Sequence, residues 1–130
     1  MTTTNLELPE ITTGQSDKAT THNEALGIID SLSGVLVHDM STDADYTLLT
    51  TTTPEEWQYG VLKVTDTGVV LTAGRNIIVP DNAKLYVLDN ATAQTITLKT
   101  SAGSGVGVAA GLTQLLYCDG TNVIAIAGAV

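Results

Sequence analysis

The sequence predicts a mainly β fold: a short N-terminal extended segment and helix over 1–34, then a compact β-sandwich or jelly-roll-like module over 35–130. Three observations predict it. After Gly34, short runs rich in Val, Ile, Thr, Tyr and Leu are separated by breakers such as Thr67-Gly68, Ala73-Gly74, Pro80-Asp81-Asn82 and Asp119-Gly120. Thr95-Ile96-Thr97-Leu98-Lys99 alternates cleanly, which turns Ile96 and Leu98 to one face. Before Ser33-Gly34, Leu26, Ile29 and Leu32 fall at helical spacing, with Ala25 and Ile28 beside them.

The first twenty residues are polar, Thr-rich and carry Pro9 and Gly14, so they read as extended, with Leu6, Leu8 and Ile11 as isolated apolar contacts. Thr21-His22-Asn23-Glu24 fits a capping box, in which the Thr21 hydroxyl and Glu24 carboxylate satisfy free backbone N–H groups. The helix it starts has about three turns and is marginal alone, so it must pack on something. Ser33-Gly34 ends it. Strands are expected near Val35–His38, Tyr46–Thr51, Trp57–Val64, Val69–Thr72 and Asn76–Val79. Further strands are expected near Lys84–Leu88, Gln94–Lys99, Val106–Val108, Gln114–Cys118 and Val123–Ala127. The last two flank Asp119-Gly120-Thr121-Asn122, a hairpin signal with a longer loop. The final run is apolar on both faces, as in a strand that is central or covered by a neighbouring subunit. No long internal repeat stands out.

A chain of 130 residues makes one domain with a short appendage. It holds no Phe, one Trp and four Tyr, so its core must come from Val, Ile, Leu, Ala and Thr methyl groups in thin, closely packed layers. Such a chain gains by completing its core with copies of itself. The net charge is -9, and the basic residues Lys18, Lys63, Arg75, Lys84 and Lys99 are scattered, which argues against a nucleic-acid partner. Cys118 is the sole cysteine, so no internal disulfide forms. The first ten residues lack the basic and apolar regions of a signal peptide, and no apolar run is long enough to span a membrane. Synthesis in the cytoplasm follows as the expectation.

Each candidate for chemistry lacks a partner. His22 and His38 have no second ligand at metal spacing. Asp39, Asp43 and Asp45 are hard oxygen donors, but the glycine and glutamate of a calcium loop are missing, and solvated loop carboxylates are the simpler reading. Glu55 and Glu56 are adjacent and on a strand point to opposite faces. Gly103-Ser104-Gly105 lacks the Lys-Ser/Thr of a phosphate loop and the spacing of a nucleophile elbow. Asn90-Ala91-Thr92 is a formal sequon in a chain without a secretion signal. Cys118 lies in an apolar run and reads as a buried small hydrophobe. Trp57 and Tyr59, at i and i+2 on one strand, could stack on sugar rings, or else form core or interface. The expectation is a protein that is not an enzyme and needs no cofactor or metal.

Residues 5–32 carry the most specific pattern. Leu8-Pro9, Gln15, Lys18, Thr21, Asn23-Glu24-Ala25-Leu26 and Asp30 resemble the N-terminal motif of a family of phage and prophage virion proteins, the domain of unknown function 2793. That family is found in head-spike, decoration and tail-fibre proteins. More loosely, Leu71-Thr72-Ala73-Gly74-Arg75-Asn76 and Asp119-Gly120-Thr121-Asn122-Val123 resemble β modules of phage fibres and decoration proteins. The resemblance implies a structural protein of the virion surface, assembled in the host cytoplasm. It implies docking on other virion structural proteins through Leu6, Leu8, Pro9, Ile11, Gln15, Lys18, Asn23, Glu24, Leu26 and Asp30. It also implies a homo-oligomer, with a trimer expected from the likeness to fibres and knobs. Ending at Val130 favours a short knob or cement protein. The alternative is a glycan-binding adhesin module that attaches to a host surface through Trp57 and Tyr59.

Overall fold

Val-Leu recurs at 35–36, 61–62 and 87–88, and the stacking of strands explains the recurrence. In the computed structural model, which describes residues 1–126, these dipeptides lie side by side in parallel register. Leu36 pairs with Leu62 and Leu62 with Leu88, each 26 positions further on. The stacked strands of this sheet therefore carry a 26-residue period, although no long repeat runs through the sequence. It escapes notice because little beyond the Val-Leu pair repeats, and because the stacked positions of the second sheet, Tyr46, Ile77 and Leu98, are unevenly spaced.

Helix α1 (Lys18–Ser31) precedes β1 (Val35–Asp39), β2 (Tyr46–Thr47), β3 (Val61–Thr65), β4 (Arg75–Val79) and β5 (Lys84–Asn90). Then follow β6 (Ile96–Thr100), β7 (Gly105–Val108), β8 (Thr113–Cys118) and β9 (Val123–Ala125). The chain passes back and forth between two mixed sheets, one ordered β1-β3-β5-β8-β9 and the other β2-β4-β6-β7. Each new strand from β3 to β6 pairs in parallel with the strand two before it. Antiparallel partners β7, β8 and β9 close the stack. A jelly roll is antiparallel throughout, and these parallel pairs depart from that pattern. The β-rich character is as expected.

Both sheets feed one apolar cluster. Leu62, Val64, Tyr86, Leu88 and Leu116 come from the first sheet, and Ile77, Val79, Ile96, Leu98 and Val108 from the second. Strands β3 and β6 alternate buried with half-buried positions, as their sequences require. Two aromatics also sit in this core: Trp57 and Tyr86 are both 0% exposed. The core is thus less purely aliphatic than composition suggested.

Several expected elements changed, and the strand expected over Tyr46–Thr51 is reduced to Tyr46–Thr47. Trp57–Val64 is not one strand: Glu56–Gln58 forms a 3-10 turn, in which the Glu55 side chain accepts from the Gln58 backbone and the Gln58 side chain from the Glu55 backbone N–H. Val69–Thr72 forms no strand; the Leu71 N–H goes instead to Asp66 Oδ2, at 3.2 Å. Helix α1 begins at Lys18, so Thr21 lies inside it rather than capping it, and its hydroxyl accepts from Gln15 Nε2. The helix also buries Thr21, Ile28 and Ser31, leaving Leu26, Ile29 and Leu32 exposed. The rotation goes with a contact that is distant in sequence. Ser31 Oγ bonds Ile28 O at 2.5 Å within the helix and also lies 3.2 Å from Gln58 O, so the buried stripe is the one that meets the β body.

The first ten residues are not extended. They fold back on themselves, with Thr3 N–H on Leu8 O at 3.0 Å and Glu10 N–H on Met1 O at 3.1 Å. The turn is seated on the β body: Leu6 packs against the core, and Asn82 Nδ2 donates to Thr4 O at 3.3 Å. Strand β9 stands at the end of its sheet's order, so its apolar outer side does not come from a central position. The rest of that expected strand, from Ala127, lies outside the described residues. Among the described residues, no helix is long and apolar enough to cross a membrane.

Candidate functional site

The ten residues expected to dock on a partner divide into two groups. Leu6 packs on the protein's own core, and Leu8, Pro9 and Gln15 are half-buried beside the N-terminal turn and helix. Ile11, Lys18, Asn23, Glu24, Leu26 and Asp30 are exposed. Asn23, Leu26 and Asp30 follow one another at i, i+3 and i+7, so they share one side of α1. That side faces away from Thr21, Ile28 and Ser31, which the chain itself buries. The helix thus presents a face with an apolar centre between an amide and a carboxylate.

Trp57 and Tyr59 do not form a surface. Trp57 is fully buried in the 3-10 turn, with its indole N–H on Glu55 Oε2. Tyr59 follows that turn, half-buried, with its ring against the backbone at Gly34. A sugar ring needs an accessible aromatic face, and Trp57 has none.

The acidic loop residues tie one coil of the chain to the next. Asp39 accepts from Thr65 Oγ1 at 2.7 Å, Thr67 N at 2.8 Å and Gly68 N at 3.0 Å. Asp43 accepts from Thr72 Oγ1 and from Arg75 Nε at 2.8 Å, with an ion pair to Arg75 Nη2 at 2.7 Å. Asp45 takes both the backbone N–H and the side-chain amide of Asn76, at 2.8 and 2.9 Å. Each donor lies on the following coil, so the carboxylates act as staples. The donors also lower their pKa values: hydrogen bonds from Thr65 and then Thr67 hold Asp39 down at about 2. No cluster of acidic, His or Cys groups with metal-binding geometry occurs among the described residues.

Other candidates have similar duties. Glu56 accepts from Tyr46 Oη and Leu49 N, both at 2.7 Å. His38 stacks on the Tyr46 ring at 3.9 Å between centroids, and burial lowers its pKa against the pull of Glu56 and Asp39. His22 is exposed on the helix. Asn90 of the sequon is 0% exposed, donating to Gln94 O at 2.7 Å and Val108 O at 2.8 Å while accepting from the Thr92 hydroxyl at 2.7 Å. It is a turn-former hidden from any transferase. Cys118 is buried, and burial raises its thiol pKa. A cleft of about 240 Å³ beside Pro80, Ser101 and Gly103 carries one ionisable group, Asp81.

Two features lie outside the residues that motif and spacing mark in the sequence. One is the apolar outer side of the five-stranded sheet, which corresponds to the missing alternation of its Val-Leu pairs. The other is Lys84, 8% exposed at the start of β5. Its Nζ donates to Tyr59 O and Leu85 O, both at 2.8 Å, and lies 4.0 Å from the Tyr86 ring centre. Burial lowers its pKa from 10.5 to about 8. Below pH 8 the ammonium is charged in folded and unfolded chains alike, and the desolvation cost of about 3 kcal/mol is fully present. Between about 8 and 10.5 the unfolded chain binds the proton more tightly, so stability rises with pH. Above about 10, Tyr46, raised to about 12 by burial and then by Glu56, reverses the slope, because the folded state keeps a proton that the unfolded state loses. Urea titrations should therefore show maximal stability on the alkaline side, and Lys84→Met should abolish the rise. A flat profile from neutral to about pH 9.5 would refute this reading of Lys84.

No family model matches the chain, and neither a curated protein nor a solved structure matches it.

Proposed function

We propose that this chain is a structural, non-enzymatic component of a bacteriophage-type virion: a head decoration, head-spike or short fibre protein on the particle surface. In this reading α1 and the N-terminal turn dock on another virion structural protein. The β body, read as a two-layer sandwich built from stacked coils, is displayed outward as a homo-oligomer, with a trimer expected. One observation carries the proposal. Of the residues that carry the resemblance, Asn23, Leu26 and Asp30 lie on the side of α1 that its own fold leaves open, while Thr21 is buried and Ala25 half-buried. Motif residues that the fold itself does not use are best explained by a partner. The acidic net charge of -9 suits a surface protein displayed in many copies, since like-charged surfaces resist aggregation.

The test is incorporation. Because these side chains are exposed, the triple change Asn23→Ala, Leu26→Ser, Asp30→Ala should alter stability by only about 0.5 kcal/mol per site. Particles produced with this variant should nevertheless lack the chain, at least tenfold below wild type by quantitative mass spectrometry. Normal incorporation of the variant would sink the docking proposal.

A further inference from the structure

The two sheets end together at the first coil of the chain. Strand β1 is the outermost strand of one sheet and β2 of the other, and His38 on β1 meets Tyr46 on β2. Their rings stack, with centroids 3.9 Å apart and planes 21° from parallel. Tyr46 Oη in turn donates to Glu56 Oε1 at 2.7 Å, and the same oxygen accepts from Leu49 N at 2.7 Å. The Glu56 N–H donates back to Leu49 O at 3.0 Å. Glu56 opens the 3-10 turn whose next residue is the buried Trp57. A line of contacts thus runs from β1 through β2 to the turn that fills the core.

One atom in this line has no partner. His38 Nε2 is buried, and no hydrogen-bonding group among the described residues reaches it. A neutral imidazole tolerates this, because one of its nitrogens is a bare acceptor. An imidazolium does not: both nitrogens carry N–H, so a charged donor would stand buried and unbonded. The surroundings offer little relief. From β3 His38 has Val64 as its register partner, from β2 the Tyr46 ring, and from the 3-10 turn Glu56, whose Oε1 already serves two donors. Asp39 follows it on β1 and so points to the other side, held by Thr65, Thr67 and Gly68. Burial outweighs the attraction of Glu56 and Asp39, and the imidazole binds a proton less readily than a free histidine.

We propose that His38, Tyr46 and Glu56 form an acid-sensitive latch between the two sheets: a proton taken up at Nε2 drives the imidazole off the Tyr46 ring and releases the β1–β2 end of the stack. The closed form binds the proton more weakly than the open one. The latch is therefore fully closed above the ordinary histidine pKa of about 6.5 and loosens as pH falls below it. Lys84, lowered to about 8, and Tyr46, raised to about 12, change charge only at higher pH. Asp39, held at about 2, keeps its charge and its hydrogen bonds to the next coil. The latch is a property of the fold and does not depend on the particle proposed to carry the chain.

The test uses the full chain carrying His22→Gln, which leaves His38 as the sole histidine. Amide exchange is compared at about pH 7.5 and about pH 5, with intrinsic rates corrected for, so that it reports local opening. Protection of the Leu48 N–H, which donates to Ile78 O, should fall at least about threefold in acid. Protection of the Asn90 N–H, which donates to Leu112 O in the middle of the other sheet, should stay the same. His38→Phe keeps a ring on Tyr46 and removes the proton, so its Leu48 protection should not respond to pH. Should that variant fail to fold, the His38 Cε1–H resonance of the parent decides alone. Its midpoint should lie below about 6.5, and the Tyr46 ring signals should shift along the same curve. A midpoint at or above that value, no acid response at Leu48, a response that persists in folded His38→Phe, or equal losses at Leu48 and Asn90 overturns the latch.

Discussion

Trp57→Ala is expected to lower the unfolding free energy by about 3–5 kcal/mol. A small domain has only about 5–15 kcal/mol in total, so the variant approaches the limit of folding. The indole is 0% exposed and belongs to the cluster that both sheets share, so removing it leaves a cavity that rigid strands cannot close. It also releases Glu55, whose carboxylate the indole N–H engages next to the 3-10 turn. Trp57→Phe keeps most of the volume and should cost considerably less. Thermal melts followed by circular dichroism decide the matter: a loss of this size lowers Tm by roughly 10–20 °C in a domain of this length. A sugar-binding role for Trp57 predicts the opposite pattern, in which ligand binding disappears while Tm stays unchanged. An unchanged melt for Trp57→Ala would therefore restore the adhesin reading and overturn the burial argument.

What the sequence reveals here is local, and what it conceals is connection. Ile96 and Leu98 were legible as inward residues because strict alternation is written into Thr95–Lys99, and both are 0% exposed. The loop at Asp119-Gly120 was legible too, because Asp119 accepts from the backbone N–H groups of Thr121 and Asn122, and Gly120 takes a positive φ of 102°. The break after Trp57 was present as Glu55-x-x-Gln58, a cap on a single 3-10 turn too short to register against a β-rich background. Parallel pairing left almost no mark. It depends on residues 26 apart, and the loops between them follow no common length. The helix face went wrong for a similar reason. Periodicity offered Leu26, Ile29 and Leu32, but distant contacts of Ser31, whose hydroxyl meets Gln58 O and whose carbonyl accepts from the Gly60 N–H, go with the adjacent stripe. Of the candidate site, the exposed motif residues on α1 could be read in the chain. The outer sheet face could not, because burial on one side and exposure on the other only separate once register is known.

Gly60→Ala should cost about 3 kcal/mol, at the upper end of the usual penalty for overpacking. A Cβ at this position would fall 1.9 Å from Leu32 O and 2.9 Å from Leu32 C, and both obstacles are backbone. Neither side can give way cheaply. The Gly60 N–H donates to Ser31 O at 3.2 Å, and its carbonyl accepts from Val87 N at 2.9 Å. Relief must come either by lifting the end of α1 from the body or by breaking the start of the β3–β5 ladder. The first is the softer route, because α1 buries only Thr21, Ile28 and Ser31. Gly27 supplies the contrast. It lies inside the same helix, and a methyl group added there would meet nothing within 4 Å, so Gly27→Ala should stabilise by about 0.5–1 kcal/mol through helix propensity alone. Urea titration of the two alanine variants should move the midpoints in opposite directions, and amide exchange should show protection lost in α1 for Gly60→Ala before the strands are affected. Equal midpoints for Gly60→Ala and wild type would mean that the seam between helix and β body is loose. A loose seam would also weaken the proposal that α1 holds a rigid docking face, because Asn23, Leu26 and Asp30 keep a fixed orientation toward a partner only while Leu32 stays seated on Gly60.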